Sequence, residues 1–383
     1  MTREYPPFDV GGVARHAFNL VEHLSRLDVS CKVLSFGDPS YSTDDIMFIK
    51  PSSSIISRSN CPLYMDARIP FDIVRLTKVA NKLIENENFD IVHVEEPYVG
   101  AFVKHKRKVA TVQDTSYGEI KTSLPNPNLK RWIFFASLGP CLEWMCIASS
   151  RIVIVPISQV EEELVRIYRV PKSKIRVIRN GVEIPRSIDP IDKIKAKRML
   201  GLSGNLLIFT AARHVARKRL DTLVEAAKLL HEEGIEGFHV VIAGDGLLKR
   251  NMISLVKKYG LQHVISFPGW ISWEKLEIYY RAADIFVLTS AYETGPMSIL
   301  EAMSFGDAAI SSRIDYFPKL MCDGIDGLLF QVGDYHALSI CIKRLLNDNL
   351  LRRRLSASAR SFAERFGWES VAKRTVDLYK EIL

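Results

Sequence analysis

Glu293 and Glu301 stand eight residues apart, on either side of a Gly-Pro pair. The residues 284–290 before them form a largely apolar run of strand length, typical of a strand that is covered on both faces. After Pro296, apolar residues recur at helical spacing as far as Gly306. We therefore predict that Glu293 follows the carboxyl end of a strand and that Glu301 lies in the next helix. This is the crevice where open α/β sheets bind ligands.

The start of this predicted helix suits an anion. Pro296 has no N–H to offer, but it is well placed as a first helical residue. The backbone amides of Met297 and Ser298 should point out of the helix end, where the helix dipole favours negative charge. Together with the adjoining Gly295, these residues are candidates for binding a phosphate group.

Arg213 and Lys218 supply positive charge in the loop that follows the predicted strand 206–210. In the same crevice, each could form charge-assisted hydrogen bonds to a diphosphate, worth roughly 1.5 to 3 kcal/mol. A solvated loop of a basic protein explains the two residues equally well. Gly244-Asp-Gly246 ends another strand, but such glycine pairs are common turns. Two flanking carboxylates would also suit a glycoside hydrolase, although the neighbouring cations favour a phosphate leaving group.

The first half of the chain offers weaker candidates. Gly11-Gly12 precede a predicted helix and would let a phosphate or a sugar approach the backbone closely, although a tight turn explains them almost as well. His16 follows on that helix, where it either contacts a substrate or lies on the helix surface. His93 and Glu95 end a strand and could face a ligand cleft.

Composition narrows the class of protein. The chain has 383 residues, 47% of them hydrophobic, which is enough for two domains with separate cores. Its net charge of +8 suits an anionic ligand or an anionic membrane surface. The sequence contains no compact basic motif with interleaved aromatic residues, so we expect no nucleic-acid partner. The six cysteines lack zinc-binding spacing, so we expect reduced, buried thiols and no bound metal. Since no secretory signal opens the sequence, we expect a cytoplasmic location.

One aromatic-rich segment, residues 132–148, follows the basic residues Lys121, Lys130 and Arg131. It is too short and too interrupted for a membrane-spanning helix. Two interpretations remain open. The segment is either a buried helix that leads into the strand 152–158, or a patch that rests on the inner face of a membrane or holds a lipid-like acceptor.

Strand-like and helix-like stretches alternate in both halves of the chain, without internal repeats. This alternation predicts an α/β protein with two doubly wound, Rossmann-like domains, each with a parallel sheet and crossover helices. We place the N-terminal domain at 1–175, the C-terminal domain at 176–365 and a closing helical segment at 366–383. The first boundary follows from the Pro, Lys and Asn-Gly residues that cluster between positions 170 and 185. The strands are expected at 31–36, 89–94, 109–112, 152–158, 175–178, 206–210, 239–243, 264–267, 285–290 and 308–311.

A family pattern emerges when the motifs are taken in chain order. They are Tyr5-Pro-Pro with Gly11-Gly12 and His16, Ile178-Arg-Asn-Gly-Val182, Arg213 with Lys218, Glu293 and Glu301 followed by Ala302-Met303, Asp323-Gly-Ile-Asp-Gly-Leu-Leu329, and Trp368-Glu-Ser-Val. In these motifs the chain resembles the retaining, nucleotide-sugar-dependent glycosyltransferases of the GT-B fold, in particular family 4 (glycosyl transferases group 1). The resemblance covers nearly the whole chain. It implies two Rossmann-like domains that face a central cleft, with the last helix crossing back to the first domain.

The resemblance also implies roles for the residues of the second half. Arg213 and Lys218 would stabilise the leaving diphosphate, and the amides at the helix start would face it. Glu293 would lie against the hydroxyls of the donor sugar. Glu301 would hydrogen-bond the ribose of the nucleotide.

The implied activity is that of a hexosyltransferase. It would move a sugar from a UDP- or GDP-sugar to a glycan or lipid-linked acceptor, in polysaccharide or glycolipid biosynthesis. Gly12, His16 and Asp114 would contribute to substrate binding, and no metal or other cofactor would be required. Peripheral contact with the inner face of a membrane is a further expectation.

Three departures from the family pattern bear on these expectations. Family members usually have a short apolar strand before the segment that begins here with Met1. Either the start is misassigned, or the first strand of the N-terminal domain is missing and neighbouring apolar surface is exposed. Gln113 stands where a histidine is common, which leaves Asp114 to contact the donor. The surroundings of the donor sugar are altered at Asp315, Tyr316 and Lys319.

Two alternatives to a transferase remain. One is a nucleotide-sugar epimerase on the same fold. The other is a catalytically degenerate protein that binds sugar nucleotides without turning them over.

Overall fold

The computed structural model describes residues 1–8, 11–51, 69–123, 133–134, 136–186, 189–314 and 321–383. The expectations at Asp315, Tyr316 and Lys319, and those at 130–132, lie outside these residues. The chain divides into two compact units. Unit 1 contains Met1–Gly181 and Trp368–Leu383, and unit 2 contains Val182–Gly367.

Helices and strands alternate through most of both units. The helices, α1 to α13 in chain order, are Gly12–Ser25, Ile69–Asn86, Ser116–Ser123, Leu138–Ser149, Ser158–Arg166, Pro190–Met199, Leu220–Glu232, Lys249–Lys258, Trp273–Ala282, Met297–Ser304, Tyr335–Asn347, Asn349–Glu364 and Trp368–Ile382. The strands, β1 to β12, are Val33–Phe36, Ile46–Ile49, Val92–Val94, Lys108–Thr111, Ile152–Val155, Ile175–Val177, Leu206–Ala211, Phe238–Ala243, Ile265–Gly269, Ile285–Leu288, Ala308–Ser312 and Leu328–Phe330.

Unit 2 is built on one parallel sheet of six strands, in the order β12-β11-β10-β7-β8-β9. The chain adds β8 and β9 on one side of β7, and then β10, β11 and β12 on the other side. The strand order therefore reverses between β7 and β10, which pair directly. Such a reversal is the topological switch point at which doubly wound sheets bind ligands.

Helices cover both faces of this sheet. On one face, Ile208 and Val287 pack into a core shared with side chains of α7, α8 and α11. On the other face, the rings of Phe209 and Phe286 lie 5.3 and 6.0 Å from the ring of Tyr280, on α9. Burial on both faces explains why β10 is a continuous apolar run in the sequence and why β7 is one apart from Thr210. The predicted α/β class with doubly wound, Rossmann-like domains is confirmed.

Unit 1 has two parallel sheet fragments within the described residues. One has four strands in the order β3-β4-β5-β6, and the other pairs β1 with β2. The strand β2 was not predicted. Ile46–Ile49 is a run of only four residues, and the structure buries one of the four side chains.

Met1 and Thr2 connect the two fragments. The Thr2 N–H donates to the Leu34 carbonyl of β1 at 3.1 Å, and the Glu95 N–H, just after β3, donates to the Met1 carbonyl at 2.9 Å. The Met1 ammonium donates to the His93 carbonyl at 2.7 Å. Two residues thus make, on both sides, hydrogen bonds of the kind that a central strand would make.

The prediction of exposed apolar surface next to these residues is wrong. Leu34 of β1 and Val94 of β3 are both buried, and the Met1 side chain packs against the core that contains them. The backbone bonds of Met1 and Thr2 bring these side chains together, so the neighbouring apolar surface stays covered.

Helix α4 contains residues 138–148 of the aromatic-rich segment. Leu142 and Cys146 are buried against the sheet, whereas Trp144 is 53% exposed and Met145 also reaches the surface. The interpretation as a buried helix is therefore correct for one side of α4 only. Among the described residues, none of the helices combines the length and the apolar character needed to cross a membrane.

Helix α13 packs within unit 1 through the buried side chain of Trp368. The Trp368 ring lies against Gly181 so closely that a Cβ at this glycine would stand 2.4 Å from the ring. The ring of His16, on α1, meets Trp368 edge-on with centroids 5.2 Å apart. A side chain at position 181 would therefore displace the tryptophan.

A buried polar network links the same helix to the sheet. His93 Nδ1 lies 2.6 Å from the Tyr379 hydroxyl of α13, and His93 Nε2 lies 2.6 Å from the Thr111 hydroxyl of β4. Burial lowers the pKa of His93 to about 4, so the ring is neutral at neutral pH. A neutral imidazole can serve both hydroxyls, since one nitrogen donates and the other accepts.

We predict that His93 makes unit 1 sensitive to acid. Its pKa is about 4 in the folded chain and about 6.5 when unfolded, so the unfolded chain binds more protons between these values. The free energy of unfolding should therefore fall by up to about 3 kcal/mol as the pH drops from about 6.5 to about 4. Urea unfolding at a series of pH values measures this slope.

The variant His93→Gln should lose that part of the pH dependence. His336, which is exposed on α11, provides the matched control, and His336→Gln should keep the slope of the unmodified protein. Equal slopes for all three proteins would contradict the assignment.

Candidate active site

The carboxyl ends of β7 and β10 lie side by side at the switch point of unit 2. Lys218 belongs to the loop after β7, and Glu293 belongs to the loop after β10. The Ala291 N–H donates to the Arg217 carbonyl at 2.8 Å, and the Thr289 hydroxyl donates to the Lys218 carbonyl at 2.6 Å. These bonds hold the two loops together, although they are about seventy residues apart in the sequence.

Lys218 and Glu293 form a buried ion pair. The lysine Nζ lies 2.5 Å from Glu293 Oε1, with 14% of the lysine side chain and 7% of the glutamate side chain exposed. Burial lowers the pKa of Lys218, and the neighbouring carboxylate opposes that change. Burial alone would raise the pKa of Glu293, but Lys218 and Arg217 hold it below its usual value. Glu293 is therefore a carboxylate at neutral pH.

Arg213 and Arg217 add positive charge to the same place. Both lie close enough to Lys218 for their charges to lower its pKa. The solvated-loop interpretation does not describe Lys218, which is mostly buried against Glu293. The loop after β7 therefore concentrates cations at the switch point, as an anionic ligand would require.

The loop after β10 ends at the start of helix α10. Gly295 has a backbone φ of +132°, a region that side chains disfavour. Pro296 precedes the first helical residue, Met297, and so caps the helix rather than beginning it as we predicted. The amides of Met297 and Ser298 lie in the first turn, where backbone N–H groups lack partners within a helix.

Glu301 lies about one turn into α10 and is buried. The Tyr280 hydroxyl of α9 donates to its Oε2 at 2.8 Å. Tyr280 is fully buried between aromatic rings, so its hydroxyl holds one side of the carboxylate in place. Sequence reasoning missed this contact because Tyr280 precedes Glu301 by twenty-one residues and resembles an ordinary core tyrosine.

The glycine pair after β8 belongs to the same edge of the sheet. Gly244 and Gly246 have φ angles of +117° and +151°. A Cβ at Gly244 would stand 2.0 Å from the Ala212 carbonyl oxygen, and one at Gly246 would stand 2.6 Å from that of His214. The two glycines therefore allow the loop after β8 to pack directly on the loop that carries Arg213. The Gly-x-Gly pattern was the available signal, but by itself such a pattern indicates only a common turn.

The candidates of unit 1 lie near the carboxyl ends of its own strands and on α1. Gly12 is the first residue of α1 and is exposed. Asp114 follows β4, is half-buried, and accepts a hydrogen bond from the Thr115 N–H at 2.9 Å. Gln113, beside it, accepts one from the Asn180 side chain at 3.0 Å.

His16 does not lie on the helix surface. It is only 6% exposed, and its Nδ1 lies 3.0 Å from Glu95 Oε2. Neighbouring His16 and His93 hold the pKa of Glu95 low although burial alone would raise it. His93 and Glu95, which we expected to face a cleft, are both part of this buried network.

The comparisons with known proteins agree on one family. The sequence profile of Glycosyltransferase Family 4 matches residues 10–186, and that of Glycosyl transferases group 1 matches residues 192–362. An uncharacterised glycosyltransferase of Methanocaldococcus jannaschii is 25% identical over 393 residues, which covers 99% of this chain and 97% of that protein.

Solved structures show the same fold. Sucrose-phosphate synthase from Thermosynechococcus elongatus matches with a TM-score of 0.77 and 21% identity, over 97% of this chain and 94% of its own. Anabaena HepE, solved in complex with UDP-glucose, matches with a TM-score of 0.76 and 16% identity, over 99% of this chain and 98% of its own. Since the two profiles cover both halves of the sequence and these folds cover nearly all of it, the chain belongs to the group 1 glycosyltransferases, with the GT-B fold.

Proposed function

We propose that this protein is a retaining hexosyltransferase that moves a sugar from a UDP- or GDP-sugar to a glycan or lipid-linked acceptor. The observation that carries the proposal is the buried pair of Lys218 and Glu293 at the switch point of unit 2, with Arg213 beside it. The complex of HepE with UDP-glucose supports a nucleotide sugar as donor, because that protein shares the fold.

In this proposal the diphosphate binds where cations and helix amides meet. Lys218 and Arg213 bind its oxygens from the loop after β7. The amides of Met297 and Ser298 bind it from the start of α10, where Gly295 lets the backbone turn. An anion at this helix start gains from the helix dipole as well as from the side-chain charges.

The two glutamates hold different parts of the donor. Glu293 is a carboxylate and accepts hydrogen bonds from the hydroxyls of the sugar. Glu301, which Tyr280 holds in place, accepts hydrogen bonds from the ribose hydroxyls. Neither needs to act as an acid or a base, so the pair differs in role from the two carboxylates of a glycoside hydrolase.

Retention follows if the acceptor hydroxyl attacks the face of the sugar from which the diphosphate leaves. The bond from the anomeric carbon to the phosphate oxygen breaks, the bond to the acceptor oxygen forms, and the acceptor proton passes to the departing phosphate. Negative charge grows on the diphosphate as the transition state forms. Lys218 and Arg213 stabilise that charge more than they stabilise the ground state, so they accelerate the reaction. The scheme uses no metal ion, because these cations and amides neutralise the leaving group.

In unit 1, we propose that Gly12, His16 and Asp114 contribute to substrate binding. Gly12 and Asp114 have accessible surface for direct contact. His16 is almost fully buried, so we propose that it acts by holding Glu95.

We also propose that the exposed side of α4 makes peripheral contact with the inner face of a membrane, where a lipid-linked acceptor would lie. Trp144, Met145 and Leu138 are exposed on this helix. Amphipathic rings such as that of tryptophan favour the membrane interface.

The donor class can be tested with a panel of nucleotide sugars. We expect the purified protein to release nucleoside diphosphate from a UDP- or GDP-sugar when a glycan or lipid-linked acceptor is present. Coupled detection of UDP or GDP, with and without acceptor, measures this release. For an α-linked donor, proton NMR of the product should show an α-glycosidic bond.

The other outcomes identify the alternatives. Interconversion of the sugar without an acceptor would indicate an epimerase, and tight binding without release would indicate a degenerate binding protein. A β-linked product from an α-linked donor would show inversion and overturn the proposed stereochemistry.

The diphosphate site can be tested with Lys218→Ala. We expect turnover to fall on the order of a hundredfold or more, because the variant loses a cation that acts on the leaving group. The substitution also leaves Glu293 buried without its partner, so the double variant Lys218→Ala with Glu293→Gln should recover stability but not activity. Steady-state kinetics and thermal unfolding measure the two effects.

Lys343 provides the matched control, since it also forms a Lys–Glu pair, at 2.7 Å with Glu233, but on an exposed surface. Lys343→Ala should keep full turnover. Unchanged turnover in Lys218→Ala would remove Lys218 from the diphosphate site.

A further inference from the structure

The carboxylate of Glu293 is held on one oxygen by two donors. Lys218 Nζ and the Ser290 hydroxyl both lie 2.5 Å from its Oε1. Among the described residues, both side-chain hydrogen bonds to this carboxylate are made to Oε1, and neither reaches Oε2. The carboxylate therefore has a defined orientation, with Oε1 turned to the lysine.

Ser290 is itself rigidly placed. It is 1% exposed and is the second residue after the end of β10. Its carbonyl oxygen accepts a hydrogen bond from the Ser312 hydroxyl of β11 at 2.5 Å. The hydroxyl that binds Glu293 thus comes from a backbone position anchored to the neighbouring strand.

The residue before it anchors the other partner. The Thr289 hydroxyl donates to the Lys218 carbonyl at 2.6 Å, which fixes the backbone of the lysine to the same strand end. Thr289 and Ser290 together place the lysine and the glutamate relative to β10. Side chains locked in this way by packing and by hydrogen bonds are what a precise binding site requires.

We propose that Ser290 is a positioning residue. Its hydroxyl holds Glu293 Oε1 against Lys218, so that Oε2 is left to accept a hydrogen bond from a hydroxyl of the donor sugar. Without this hydroxyl, the carboxylate can rotate about its side-chain bonds, so that Oε1 is no longer held against the lysine. The inference rests on the proposed function for the identity of the sugar ligand, and on the geometry alone for the orientation of Glu293.

The variant Ser290→Ala tests both parts in the full-length chain. Calorimetric titration should show the affinity for UDP-glucose reduced about tenfold, which is the effect of losing one charge-assisted hydrogen bond. The affinity for UDP should stay unchanged, since UDP has no sugar for Glu293 to bind. If the panel of donors selects guanine, GDP and GDP-glucose replace these probes.

A double variant separates positioning from a general loss of packing. If Ser290 acts through Glu293, adding Ser290→Ala to Glu293→Gln should not weaken UDP-glucose binding further. Ser311 of β11 provides a matched control. It is a fully buried serine like Ser290, but its hydroxyl donates to a backbone carbonyl instead of a carboxylate. Ser311→Ala should bind both probes as the unmodified protein does.

A second measurement needs no donor. Reductive methylation of the ligand-free protein, followed by mass spectrometry, reports how tightly Lys218 is held. Lys218 should react several times faster in Ser290→Ala than in the unmodified protein or in Ser311→Ala, because its partner is released.

The outcomes distinguish the two proposals. Equal methylation rates and equal UDP-glucose affinities in Ser290→Ala and the unmodified protein would overturn the role of Ser290. If the unmodified protein binds no nucleotide sugar, the proposed function fails, and the methylation rates still decide whether Ser290 holds the pair. A further loss of affinity in the double variant would show a packing role and also overturn the inference.

Discussion

A lysine and a glutamate with little access to water stabilise each other, and either one alone in that place would be costly. Lys218 and Glu293 meet this condition at the switch point of unit 2, where Ser290 shares the same carboxylate oxygen. The pair keeps both charges at a depth where a single ion would change its protonation state. It also brings a cation and a carboxylate within one hydrogen bond of each other at this point of the sheet.

Several elements of unit 2 position this pair. Parallel strands place the loops after β7 and β10 side by side, and backbone and side-chain hydrogen bonds tie the two loops together. Gly244 and Gly246 bring a third loop into contact, because no Cβ separates it from the loop after β7. Helix α10, which follows the loop of Glu293, contains Glu301, and the Tyr280 hydroxyl holds one oxygen of that carboxylate.

Unit 1 follows the same rule that buried polar groups need partners. His93 is neutral, lies between two hydroxyls, and thereby links α13 to the sheet. Met1 and Thr2 make the backbone bonds that β1 and β3 would otherwise lack. These few hydrogen bonds keep the adjoining core buried. A pattern of apolar residues does not predict them.

The sequence by itself determined the α/β class, nearly all of the strands, and the loop and helix positions of Glu293 and Glu301. Apolar periodicity carries this information, because strands buried on both faces need continuous apolar residues and helices need them every three or four positions. Only the tertiary structure decided which polar groups meet. Lys218 with Glu293, Tyr280 with Glu301 and His93 with Tyr379 join residues that are 75, 21 and 286 positions apart. Such contacts depend on strand order and side-chain direction, and a linear pattern of residue types contains neither.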